Sequence, residues 1–144
     1  MTTTDNMTTD RQRLRAYLDA IDAHDRAVIL DTYADEVEIR APGTVLHGRA
    51  AAAAWIDVFL RAFPDLHHEV RNVVEADNQV CAEIGFSGTH TGPLASPGGE
   101  IAATGKAVTL DYADVLRFAG EQLQSEHVYF DQTAFLAQLG LLPA

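Results

Sequence analysis

Strand-like runs crowd the second half of this chain, and helix-like runs fill the first. Residues 67–74, 79–90, 107–118 and 122–130 are rich in β-branched and aromatic residues, and turn residues separate them. Long strands joined by short local connections specify an antiparallel, strongly twisted sheet. A sheet of that kind buries one face, so something must cover it. The expected fold class is α+β: a cone-shaped, barrel-like domain with three N-terminal helices in the concave face of a strongly curved, mostly antiparallel sheet.

Those helices are read from spacing. Leu14, Tyr17, Leu18 and Ile21 recur at three- and four-residue steps, with Thr9 or Asp10 as cap. A short helix over 26–33 is expected to turn Val28, Ile29 and Tyr33 inward. Residues 49–63 carry five consecutive Ala, then Trp55, Ile56, Phe59 and Leu60, and Pro64 ends the run. Between them, Val37 to Arg40 alternates before Pro42-Gly43, which reads as a strand and a turn. A last helix follows Asp131 over 132–139. Residues 92–105, rich in Gly and Pro, read as a long loop at a pocket mouth.

At 144 residues the chain makes one domain, here 9–144, behind a polar leader over 1–8. Net charge is −11, from 21 acidic and 10 basic residues, which opposes phosphate backbones and anionic lipid surfaces. Nucleic-acid and membrane partners are not expected. No apolar run approaches the roughly 20 residues that span a bilayer, and a cytoplasmic location is the default. The one cysteine, Cys81, reads as a small core residue and builds no disulfide or thiolate zinc site. Adjacent His67 and His68 point to opposite strand faces, a poor geometry for a metal. With no phosphate-binding loop, dinucleotide fingerprint or nucleophile elbow, no cofactor is expected.

Two strand faces carry candidate chemistry. On the last strand, His127, Tyr129 and Asp131 share one face, with Leu123 and Ser125 behind them. Turned inward, they supply an imidazole, a phenol and a carboxylate. Asp131 in an apolar pocket would have its pKa raised and serve as general acid–base. Its alternative role is N-cap of the final helix. Val128 and Phe130 then fall on the sheet's back and suit a subunit contact. On the preceding strand Tyr112 and Asp114 share a face with Leu110 and Leu116. Arg40, if inward, binds a substrate oxygen. His90 lies at the pocket rim, and Trp55, Phe59, Phe63, Phe86 and Leu116 shape the pocket.

Three segments resemble a known family. They are Phe63-Pro64-Asp65-Leu66-His67, Gly88-Thr89-His90-Thr91-Gly92, and Glu126 to Asp131 followed by Gln138-Leu139-Gly140-Leu141-Leu142-Pro143. Their order and spacing are similar to those of SnoaL-like proteins in the nuclear-transport-factor-2-like superfamily. The resemblance implies a conical fold with a deep apolar pocket, and a homodimer through the sheet face. It implies cofactor-independent polyketide cyclases that close a ring by intramolecular aldol condensation. Their pocket Asp corresponds by motif to Asp131, with His127 as its companion. The epoxide hydrolases of the superfamily carry an Arg-x-Asp on a central strand. This chain has none in its second half.

The expected function is that of a lyase or isomerase acting on a hydrophobic, carbonyl-bearing small molecule. A ligand-binding or accessory domain with the same pocket is the alternative, as is isomerase or dehydratase chemistry.

Overall fold

A computed structural model describes residues 9–142. The expected leader over 1–8 lies outside the described residues.

Helix α1 (Asp10–Asp22) starts in a capping box: Gln12 N–H donates to the Thr9 hydroxyl at 3.1 Å, and Thr9 N–H donates to the Gln12 side chain at 2.8 Å. Its stripe Leu14, Tyr17, Leu18 and Ile21 is buried. Helix α2 (Arg26–Thr32) follows an Asp25 cap. Ile29 and Tyr33 face inward as expected, but Val28 is exposed, because one short helix cannot bury adjacent positions equally. Helix α3 (Arg49–Ala62) buries Ala52, Ala53, Ile56 and Leu60, and α4 (Gln132–Gln138) buries Phe135.

Strands β1 (Tyr33–Ala41), β2 (Thr44–His47), β3 (His67–Ala76), β4 (Gln79–Thr89), β7 (Ala107–Ala119) and β8 (Gln122–Tyr129) form one sheet. Its order is β2-β1-β8-β7-β4-β3. Every neighbouring pair is antiparallel except β1 and β8, which run parallel. The sheet is curved but open, so the expected cone is an α+β half-shell rather than a closed barrel. Among the described residues the helices number four, the fourth packing against β7.

Residues 92–105 hold a small hairpin, β5 (Leu94–Ser96) and β6 (Gly99–Ile101). It is not a pocket-mouth loop: β5 packs on α3 through buried Leu94, and Gly92 N–H donates to the Ala62 carbonyl at the end of α3. A Cβ on Gly92 would collide with the Arg61 carbonyl, which accounts for the glycine. Cys81 is exposed on β4, not a core residue, since the alternation turns Val80 and Ala82 inward. Among the described residues no helix is long and apolar enough to cross a membrane.

Phe63, just past α3, joins the layers. It is fully buried, with its ring 5.6 Å from Phe86 on β4, 5.5 Å from His90 and 5.9 Å from Phe135 on α4. Truncating such a ring leaves a cavity that three elements border. Phe63→Ala is expected to lower the unfolding free energy by about 3–5 kcal/mol in urea titration. A loss under about 1 kcal/mol would show that Phe63 does not join these layers.

Candidate active site

The concave face of the sheet and the helices over it enclose an apolar cavity of about 70 Å³. Helix α3 supplies Trp55, Ile56 and Phe59 to its wall, α1 supplies Leu18 and Ile21, and α4 closes it with Phe135. Four strands supply His68 on β3, Phe86 on β4, Leu110 and Tyr112 on β7, and Glu126 and Val128 on β8, and Leu66 and Phe130 beside the strand ends complete the lining. The cavity is therefore hydrocarbon and aromatic ring with three polar groups in its lining. Interactions made there are stronger than in water.

His68 is the first polar group. Its side chain is only 8% exposed, and its Nδ1 lies 2.6 Å from Asp22 Oδ1. A carboxylate only accepts, so Nδ1 carries the hydrogen, and in the neutral ring the lone pair is on Nε2. The other Asp22 oxygen accepts from the His68 backbone N–H at 3.0 Å. Asp22, the last residue of α1, thus fixes both the backbone and the ring of His68. Rings of Phe86 and Tyr112 meet His68 edge-on at 5.7 and 6.2 Å. His67 is exposed, and its Nδ1 lies 3.4 Å from Asp22 Oδ2.

Tyr112 is the second. Burial, then the charge of Asp114, pushes its phenol well above the usual pKa. It enters any chemistry as a proton-bearing donor.

Glu126 is the third, and it is 3% exposed. Tyr17 on α1 donates to Glu126 Oε1 at 2.7 Å, and the Tyr17 and Tyr33 hydroxyls lie 2.8 Å apart. Burial pushes both phenols up, with Glu126 adding to the rise. Beside this network sits Asp114, one pleat beyond Tyr112 on the same face of β7. It is fully buried, and neither carboxyl oxygen has a partner of ordinary hydrogen-bond geometry. Burial first, and the adjacent Glu126 carboxyl second, push the Asp114 pKa well above the usual range.

The strand face read from the sequence is inverted. In the β7–β8 ladder Arg117 pairs with Ser125 but Phe118 pairs with Leu123, so Gln124 is an extra, bulged residue. Beyond it the alternation changes phase. Glu126, Val128 and Phe130 face the cavity, whereas His127, Tyr129 and Asp131 face the outer surface. Val128 and Phe130 are therefore cavity wall rather than a subunit contact. His127 bonds Glu38 through Nε2 at 3.0 Å, Tyr129 is 60% exposed, and exposed Asp131 accepts from Ala134 N–H at 3.1 Å as the α4 cap. Arg40 is also outward, paired with Glu38 at 3.1 Å, because Val37 and Ile39 take the inward positions of β1.

The other expected residues divide. Trp55, Phe59, Phe86 and Tyr112 line the cavity. Phe63 and Leu116 are core beside it. His90 is buried beneath the hairpin, bonded to Thr104 Oγ1 at 2.9 Å, and burial lowers its pKa. It does not line the cavity.

A family model for SnoaL-like polyketide cyclases matches residues 11–139. The chain belongs to the SnoaL-like polyketide cyclase family. No curated protein matches it in sequence. Solved structures of the same fold do. AclR, a candidate hydroxylase from Streptomyces galilaeus, has a TM-score of 0.77 at 22% identity, over 93% of this chain and 86% of its own. A candidate SnoaL-like polyketide cyclase from Jannaschia sp. CCS1 has a TM-score of 0.80 at 18% identity, over 92% of both chains. A Catenulispora acidiphila protein with a ketosteroid isomerase-like fold, solved with trimethylamine, has a TM-score of 0.75 at 21% identity, over 94% and 96%.

Sequence reasoning missed the Asp22–His68 pair and the role of Glu126 in this SnoaL-like chain. Asp22 has no partner in its local sequence, and simple alternation puts Glu126 on the back with Val128 and Phe130 unless the bulge at Gln124 is counted. The inward positions of Tyr17 and Tyr33 were legible from spacing; their hydroxyl partners were not.

Asp114 makes a pH test. The folded protein holds its proton to a higher pH than the unfolded chain does, so folded molecules bind more protons above about pH 4. Stability contributed by this group therefore falls as pH rises from there toward the folded pKa. Asp114→Asn, which stays neutral, is expected to raise the unfolding free energy at pH 7–8 by about 1–3 kcal/mol and to flatten that decline. Unfolding curves between pH 5 and 8 read it directly, and an unchanged slope contradicts the assignment.

Proposed function

We propose that the chain is a cofactor-independent acid–base catalyst of the lyase or isomerase type, acting on an apolar, carbonyl-bearing small molecule. The observation that carries this reading is His68 in the cavity wall, with Nδ1 held 2.6 Å from Asp22. That hydrogen bond fixes the tautomer and orientation, leaving Nε2 as a base. In this reading Nε2 removes a carbon-bound proton beside the carbonyl. The Tyr112 hydroxyl donates to the enolate oxygen as negative charge develops there. The enolate carbon attacks a second carbonyl of the same molecule and closes a ring. The imidazolium returns its proton to the new alkoxide, so the catalyst ends as it began. With no second carbonyl in reach, the same proton returns to another carbon and the outcome is isomerisation.

The family match and the aromatic cavity support this reaction class. The general acid–base role that the sequence suggested for Asp131 is met better by the His68–Asp22 pair. Positioned proton transfer contributes roughly 10²–10⁴-fold.

Proton removal can be followed without the natural substrate. A bicyclic aryl ketone such as 2-tetralone in D₂O exchanges its α-protons, and proton NMR gives the rate above the spontaneous one. His68→Gln is expected to lower the protein-dependent rate by about 10²-fold or more. Loss in Glu126→Gln with full rate in His68→Gln would overturn the assignment of the base. Asp131→Ala should keep the exchange rate while losing about 1 kcal/mol of stability from the uncapped α4. A collapse of exchange in that variant with the fold intact would restore Asp131 to the chemistry.

A further inference from the structure

The Asp114–Glu126 pair has no part in the proton transfer just described, and no cationic side chain pairs with it. Both residues are buried, at 0% and 3% exposure. Glu126 has one neutral phenol on one oxygen, and both oxygens of Asp114 are without partners. Among the described residues no Lys or Arg forms an ion pair with either carboxyl, and none lines the cavity. The one basic group in the lining, His68, already faces Asp22. Buried carboxyls of this kind are normally neutralised by a cation or by protonation.

The walls point the same way. Trp55, Phe59, Phe86, Tyr112 and Phe130 line the same cavity as Glu126. Aromatic faces carry a negative quadrupole that attracts a desolvated cation, most of all an ammonium with apolar substituents. An anionic ligand would meet acid at the floor, aromatic faces at the walls, and a chain of net charge −11 on approach.

We infer that the cavity selects a ligand whose apolar body carries a protonated amine, with Glu126 supplying the countercharge and the aromatic walls the seat. The inference rests on the cavity being the ligand site, though not on its catalysing a reaction. It places a basic nitrogen on the natural substrate, within reach of Glu126 when the carbonyl is at His68 and Tyr112.

Trp55 is the only tryptophan and lies in the cavity wall, so its fluorescence reports occupancy. Three probes of similar shape separate the possibilities: benzyltrimethylammonium, its uncharged isostere neopentylbenzene, and phenylacetate. The ammonium is expected to bind about 10-fold or more tightly than the isostere, and phenylacetate weakest. Glu126→Gln should bring ammonium and isostere to within about 3-fold of each other while leaving the isostere's own affinity unchanged. Retained isostere binding shows that the variant cavity is intact. Asp114→Asn, which mimics the proton-bearing Asp114 behind the wall, should keep the ammonium preference. Equal or tighter binding of the isostere by the wild type would overturn the inference and leave the ligand site standing. An ammonium preference that survives in Glu126→Gln would overturn it too. Failure of all three probes to perturb Trp55 would remove the ligand-site reading together with the inference.

Discussion

A buried hydrogen-bond chain, from Tyr33 through Tyr17 to Glu126, ties the first helix and the first strand to the last strand. Its two links, 2.8 and 2.7 Å long, join residues 16 and 109 positions apart. Polar groups so deeply buried must find partners, at a cost of about 1–3 kcal/mol for each left unmade. That requirement fixes which face of β8 is inward and sets the height of α1 over the sheet. The height of α1 in turn places Asp22, at its end, against His68. The cavity is the space left beneath a helix held at that distance.

Much of the architecture is legible from the sequence because it depends on local pattern. The stripe Leu14, Tyr17, Leu18 and Ile21 needs only helical spacing, and the Thr9 cap only its neighbour Gln12. The four long strand runs and the inward set Leu110, Tyr112, Asp114 and Leu116 follow from two-residue alternation and stand as read. The α+β class rests on these elements.

The readings that differ are non-local. One bulged residue, Gln124, inverts everything after it on β8, and no glycine or proline marks the place. His127, Tyr129 and Asp131 therefore exchange faces with Glu126, Val128 and Phe130. The parallel pairing of β1 with β8 joins segments some ninety residues apart, and it leaves Arg40 and Glu38 outside with His127. Asp22 carries no local signal of its role because its partner, His68, is 46 residues away. Chemistry that depends on such pairings is invisible to spacing.

The central claim is that the inward face of β8 carries Glu126, Val128 and Phe130 and forms one site with the His68–Asp22 pair. Chemical-shift mapping with 2-tetralone on isotope-labelled protein tests it most directly. The account predicts the largest shifts at the Val128 methyls, the His68 ring and the Trp55 indole, with the Tyr129 ring and Asp131 amide unmoved. Shifts concentrated at His127, Tyr129 and Asp131, with a silent Val128, would contradict it.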